Sequence, residues 1–386
     1  MRRIHLFSST AVNAFGVLGL QVLALIFLTP EQFGAFSIQY LLMAWGMSLT
    51  FSLISEAWLR NGATSNWASY SSVLVYFSAF SGIVVLGISL IIPVLHSIAI
   101  LSSIAVAFTL YRTGARFHSL KEKRLTPVFI GDSLCLAVVA SGWVYALVVG
   151  ERGLDFVALV WAASSVAAAL GSGLPRLRGP RVLSRWVSTH RTQIGPLIRD
   201  SLLVDLSAIG TPYLLLGFLS VSQFGIYRAV SNVAAPVRLI INPLKPVLGS
   251  MSLRRQGSMK MILLVIMGAV GFGVMAYICL VILQILPVNV GTLSALTPYA
   301  LPTAISIVGN FLTHYYTTVA RVKLPSRQLL LGRIAFLTLT TVPLLIAVSI
   351  WGLAGAIWAY GLGFALAGLI WLALVVRQAK SSQSIA

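Results

Sequence analysis

Three cations on one apolar stretch, Arg228, Arg238 and Lys245, have the clearest capacity for chemistry in this chain. A cation inside hydrocarbon is costly and seldom without a role. A helix beginning near Gly225 rises 1.5 Å per residue, which puts Arg228 about 5 Å, Arg238 about 20 Å and Lys245 about 30 Å along its axis. Arg228 and Lys245 can therefore extend their stems to the two membrane interfaces. Arg238 is too deep for that. It precedes Lys245 by two turns, so both project to nearly the same face, with Arg228 about 80° around. Such a strip suits an anionic headgroup such as a diphosphate, because a guanidinium fork matches phosphate oxygens. The competing assignment makes Arg238 a buried partner of helix carbonyls or of Asp205.

Asp205 lies about one and a half turns into the preceding apolar stretch. An antiparallel neighbour brings Lys245 to a similar depth, so an Asp205–Lys245 pair is expected as a structural clasp or an ion-sensitive gate. Asn13 and Gln21 near the start of the chain, with Asn310, Thr313 and His314 near its end, can offer neutral hydrogen bonds to sugars. Between-helix bonding is the commoner use of such residues. Asp132, Asp200 and Glu56 sit near the ends of apolar stretches, so no carboxylate is expected at the depth a carried cation requires. Cys135 and Cys279 have no CxxC neighbour, and no metal site, cofactor motif, phosphate-binding loop or catalytic signature is present. Enzymatic chemistry is not expected.

These residues must be positioned by membrane helices. The chain of 386 residues is 58% hydrophobic and 9% charged, with a mean hydropathy of +0.94, which excludes a soluble domain. About 20 apolar residues cross a bilayer, and twelve stretches qualify: 6–28, 35–58, 70–94, 97–118, 127–149, 154–172, 200–219, 225–250, 261–286, 293–319, 328–350 and 353–376. Of the 27 Lys and Arg, all but Arg152 and the three on stretch 225–250 fall in tails and loops that alternate to one side. Arg112, Arg116, Lys121, Lys123 and Arg124 form one such loop, and Arg321, Lys323 and Arg327 another. That asymmetry makes both ends cytoplasmic. The net charge of +19 thus belongs to loops that meet anionic membrane lipids, and nucleic acid is excluded as a partner.

The chain divides into an N-terminal bundle over 1–172, a basic linker over 173–199 and a C-terminal bundle with a short tail over 200–386. The linker either is solvated or lies as an amphipathic helix on the inner leaflet through Val182, Leu183 and Trp186. The two bundles repeat one another. Phe27-Leu-Thr-Pro-Glu-Gln-Phe-Gly34 returns as Phe218-Leu-Ser-Val-Ser-Gln-Phe-Gly225, Phe129-Ile-Gly131 as Leu330-Leu-Gly332, and Gly153-Leu154 as Gly352-Leu353. Six stretches per copy is an even number, so the repeat is parallel, with its axis along the membrane normal.

The segments Leu28-Thr-Pro-Glu-Gln-Phe-Gly-Ala-Phe-Ser37, Gln223-Phe-Gly-Ile-Tyr-Arg-Ala-Val-Ser-Asn232, Pro243-Leu-Lys-Pro246 and Gly352-Leu-Ala-Gly-Ala-Ile-Trp358 resemble polysaccharide exporters and O-antigen-translocase-like flippases. These belong to the multidrug/oligosaccharidyl-lipid/polysaccharide transporter superfamily. The resemblance implies an all-α membrane protein with two six-helix bundles arranged as a V around a central cavity. It implies transport of a lipid-linked oligosaccharide across a bacterial inner membrane for surface polysaccharide synthesis. Other membrane proteins of polysaccharide assembly become expected partners. Alternatives are a cation-coupled multidrug exporter of the same superfamily and, in a different class, a membrane-embedded glycan polymerase or ligase. The first needs a mid-membrane carboxylate. The second needs large outer loops, and segments such as 221–225 and 287–291 are short.

Overall fold

Two repeats of one short motif start two helices and bring them together. In the computed structural model, which describes residues 2–61, 66–237, 241, 248, 251–286 and 289–381, Thr29 and Ser220 are the caps. The Gln32 N–H donates to the Thr29 hydroxyl (3.3 Å), and the Thr29 N–H donates to Gln32 Oε1 (3.2 Å). The Gln223 N–H and the Ser220 N–H repeat the exchange at 3.3 and 3.2 Å. Both are capping boxes, each satisfying two backbone donors that a helix start leaves unpaired. The Phe that follows each Gln, Phe33 and Phe224, is fully buried. The Gly after that lets the backbones touch: a Cβ on Gly34 would land on the Val221 carbonyl oxygen, and one on Gly225 on that of Pro30. The residues matched in the sequence are therefore neighbours in space.

Twelve helices of at least 13 residues occur among the described residues. They are α1 (Arg2–Phe27), α2 (Pro30–Thr50), α3 (Trp67–Ile91), α4 (Ala99–Lys121), α5 (Leu125–Val148), α6 (Leu154–Gly171), α7 (Arg181–Asp205), α8 (Val221–Val233), α9 (Met259–Ile285), α10 (Ala300–Lys323), α11 (326–351) and α12 (353–381). Gly352, at φ 58° and ψ −139°, breaks what is otherwise one helical run into the last two; only glycine takes that conformation without strain. Helix α2 continues through a π-turn, Phe51–Ser55, into Glu56–Arg60, and α7 continues through another, Leu206–Gly210, into Thr211–Leu215. No strand occurs among the described residues.

Seven stretches of the described residues are long and apolar enough to cross a membrane, the last of them holding both α11 and α12. The chain is a multi-pass membrane protein. Helices α4 and α10 are among those outside that set; both contain hydroxyls and other polar residues. Much of α10 is buried, including Thr303, Ser306, Asn310 and Thr313. The most hydrophobic helix, α9, buries only Val265, Ala269, Gly273 and Leu280. Polar helices inside and apolar helices outside is the order hydrocarbon imposes.

The chain forms two compact units. The first holds residues 1–28 and 35–210. In it α3 packs on α4, α4 and α5 on α6, and α1 on α5, around Trp58, Tyr70, Leu74, Tyr111 and Trp186. The second holds 29–34 and 211–386. There α10 packs on α9 and on the 326–381 helices, around Leu312, Tyr316, Val319 and Trp371.

Two expectations change here. The basic segment is not a separate linker but is packed on the first unit through its apolar residues. Its first residues are sewn to α3, where Tyr76 Oη donates to the Arg178 carbonyl (2.8 Å) and the Trp67 indole to that of Leu174 (3.2 Å). Its remainder is the start of α7, with Val182 and Trp186 buried in the first unit's core, so the 199/200 boundary falls inside a continuous helix. The tenth span begins at Ala300 rather than 293, because residues 291–299 form single turns. Pro298 sits in the last of these and Pro302 in the first turn of α10, where no helix hydrogen bond is lost. These prolines stand at the start of the helix.

Candidate functional site

A tight turn sets the register of the site. Helix α4 ends in a Schellman motif: the Lys123 N–H donates to the Leu120 carbonyl (3.2 Å) and the Arg124 N–H to that of Ser119 (2.8 Å). Lys123 occupies the left-handed position, at φ 58°. The chain reverses there into α5, so residues equidistant from Glu122 in sequence come level. Arg112 and Asp132 are such a pair, roughly 15 Å up from the turn.

The Asp132 carboxylate bridges two guanidiniums. Its Oδ1 accepts from Arg112 Nη2 at 2.7 Å and its Oδ2 from Arg116 Nε at 3.2 Å. The carboxylate side chain is 1% exposed, that of Arg112 9% and that of Arg116 20%. Arg112 Nη2 also donates to Asn13 Oδ1 (2.7 Å), its Nη1 reaches Cys135 Sγ (3.4 Å), and its Nε is buried with no hydrogen-bond partner. Two cations against one anion leave the cluster with a net positive charge. A buried pair of this kind must hold good geometry to offset its desolvation, and here α1 and α5 both supply ligands to Arg112 on α4.

Arg112 and Arg116, with Asn13 and Cys135, line a cavity of about 300 Å³ in the first unit. Hydroxyls border it at Thr109, Thr113, Ser164 and Ser165, and aromatic rings at Tyr40, Phe51, Phe117 and Trp161. Tyr40 and Trp161 are 6.0 Å apart and Phe51 and Phe117 also 6.0 Å. Guanidiniums, hydroxyls and ring faces together match a ligand with phosphate and sugar parts.

The residues singled out from sequence are distributed as follows. Arg238 and Lys245 lie outside the described residues, as does the expected Asp205–Lys245 pair. Arg228 is half-buried in α8, near enough to Tyr213 and Tyr227 to interact electrostatically. Asp205 accepts a hydrogen bond from Ser48, beside the π-turn of α2, where Ser52 and Ser201 also join their hydroxyls (2.5 Å). Asn13 is the Arg112 ligand and lines the cavity. Asn310 is buried, and its amide donates to the Ser306 carbonyl of its own helix (2.8 Å).

Arg112 and Arg116, loop cations on a reading of sequence, are inside α4, and Asp132 is their counter-ion. A signal for them is present in the chain: one acid and one base equidistant from a charged turn.

No family model and no curated protein sequence matches the chain. Its fold is similar to solved structures that cover nearly all of it. A lipid II flippase, MurJ, in an inward closed conformation aligns with a TM-score of 0.66 at 11% identity, over 98% of this chain and 87% of that one. An inward-facing multidrug resistance MATE family transporter of the MOP superfamily aligns at 0.63 and 10%, over 96% of each. A mutant of the Vibrio cholerae MATE transporter VcmN aligns at 0.54 and 14%, over 98% and 97%. At these identities the likeness concerns the fold, and the fold is that of MOP-superfamily transporters.

Proposed function

We propose that this protein moves an anionic, lipid-linked glycan outward across a bacterial inner membrane by alternating access, the glycan being carried on a polyprenyl diphosphate for surface polysaccharide synthesis. The observation that carries this reading is the pair Arg112 and Arg116, bridged by the buried Asp132 carboxylate and lining a cavity bordered by hydroxyls and rings. A cation-coupled multidrug exporter needs a carboxylate that can exchange its cation, and Asp132 has two permanent ones. The structural neighbour MurJ is a flippase for lipid II, which agrees with a lipid cargo. Arg238 and Lys245 serve in this reading as a further diphosphate anchor, and the short outer loops offer a polymerase no catalytic surface.

Binding is the direct test. In lipid nanodiscs, a polyprenyl diphosphate should bind the purified protein at least about tenfold more tightly than the uncharged polyprenol, the discrimination expected when a charged hydrogen-bond partner is present or absent. Arg116→Gln should remove most of that preference. Arg238→Ala should weaken it as well, with Arg238→Lys restoring only part because the fork is lost. Equal binding of the two lipids by the unaltered protein would overturn the anionic-substrate reading while leaving the fold intact.

Orientation has its own test. Both termini are cytoplasmic in this reading. Reporter fusions after Lys123, Arg185 and Arg255 should therefore signal cytoplasm, and those after Glu31, Glu151 and Asn289 the outer side. Reversed signals at any two adjacent loops would break the twelve-helix topology.

A further inference from the structure

A second basic cavity, of about 440 Å³, lies in the first unit where the segment leaving α6 turns into α7. Arg178, Arg181 and Arg185 line it, and no carboxylate does among the described residues. Arg178 is held in place: its Nη1 donates to Ser69 Oγ (2.8 Å), its backbone N–H to Ser72 Oγ (2.8 Å), and its carbonyl accepts from Tyr76 Oη (2.8 Å). Arg181 and Arg185 are one turn apart on α7 and exposed. The cavity thus also faces the positive end of a 25-residue helix.

The second observation is His190. It lines the same cavity yet is 0% exposed. Its ring stacks on Trp186 with centroids 4.1 Å apart, and its Nδ1 lies 3.0 Å from the Trp186 carbonyl. A carbonyl only accepts, so Nδ1 carries a proton, and Nε2 is the ring atom left to pair. That Nε2 is buried and has no hydrogen-bond partner. A buried ring nitrogen left unpaired costs stability, and a ligand hydroxyl, which can both donate and accept, would satisfy it. On the same two segments, Leu174, Leu177, Leu183 and Val187 are exposed, an apolar skirt of the kind that lies among acyl chains.

We propose that this cavity binds the headgroup of an anionic phospholipid carrying both a phosphodiester and free hydroxyls, of which phosphatidylglycerol is the simplest. The arginines hold the phosphate oxygens, a glycerol hydroxyl pairs with His190 Nε2, and the acyl chains rest on the leucines and Val187. The site is separate from the Arg112 cluster and does not depend on what the protein transports.

The test measures lipid retained by the intact purified protein, using native mass spectrometry and a fluorescent-lipid displacement assay. Phosphatidylglycerol should be retained over phosphatidylcholine, and over phosphatidic acid, which has the charge but not the hydroxyls. Arg181→Ala with Arg185→Ala should lower retention about twenty-five-fold, since each basic residue near an anionic surface is worth about a factor of five. Both residues are exposed, so the variant should keep the thermal midpoint of the parent in phosphatidylcholine. His190→Phe should abolish the preference for phosphatidylglycerol over phosphatidic acid. Unchanged retention in the double arginine variant, or equal retention of phosphatidylcholine and phosphatidylglycerol, would overturn the proposal. Displacement of the lipid by millimolar glycerol phosphate would make this a site for soluble anions and overturn its assignment to lipid.

Discussion

Replacing Asp132 with Ala should destabilise the folded protein by about 3–5 kcal/mol, the cost of leaving a buried charge without its partner. The reason is local. Arg112 is almost wholly enclosed and its remaining ligands, Asn13 and Cys135, are neutral. The informative companion is Arg112→Met and Arg116→Met with Asp132→Leu, which removes all three charges and fills the space. Apolar replacement of buried ionic clusters is often neutral or stabilising, so the triple variant should unfold near the parental midpoint in detergent. If the cluster serves transport, this stable triple variant should still fail to bind the polyprenyl diphosphate. Diphosphate binding as tight as the parent's would show that the bridge is scaffold only. A single Asp132→Ala variant with unchanged stability would show that the pair does not hold α4 and α5 together.

Adding one methyl group at Gly225 or Gly34 should be nearly as disruptive. Each new Cβ would occupy the position of a carbonyl oxygen on the opposing helix turn, and neither backbone can yield as a side chain does. Overpacking of this kind costs typically about 1–3 kcal/mol, and a contact with backbone belongs at the upper end. Gly271→Ala supplies the control. Gly271 is in α9, and no atom lies within 4 Å of the place its Cβ would take. The helix preference of Ala should make that variant neutral or up to about 1 kcal/mol more stable. The same chemical change is thus expected to have opposite signs at two sites. Similar thermal midpoints for Gly225→Ala and Gly271→Ala would contradict the close crossing of the repeated motifs.

That crossing is partly legible in the residues themselves. The Thr-x-x-Gln-Phe-Gly and Ser-x-x-Gln-Phe-Gly runs contain everything needed for a capping box, because a capping box is local: a hydroxyl and an amide three residues apart. Comparing the two runs reveals a repeat. It cannot reveal that the copies pack on each other, since that contact joins residues about 190 positions apart. The Arg112 site escapes for a different reason. A hydropathy window averages over a turn or more, so Arg112, Arg116 and the charged 121–124 turn merge into one basic loop. In the folded chain the helix simply continues through Arg112 and Arg116, because Asp132 and Asn13 receive the charge. The start of α7 is hidden in a similar way. Val182 and Trp186 look sparse among arginines until the core of the first unit closes over them.

Composition and periodicity are enough to establish a polytopic α-helical membrane protein, because transfer into hydrocarbon depends on each helix's own residues. Cap chemistry is equally local at the starts of α2, α3, α8 and α9, where Thr29, Asn66, Ser220 and Ser258 accept from a backbone N–H three residues on. Which cations end up inside the membrane, and what they face, follows from packing. Burying a guanidinium is favourable only when a carboxylate, an amide and neighbouring helices converge on it. For Arg112 those partners arrive from α1 and α5, so its environment exists only once the helices have assembled.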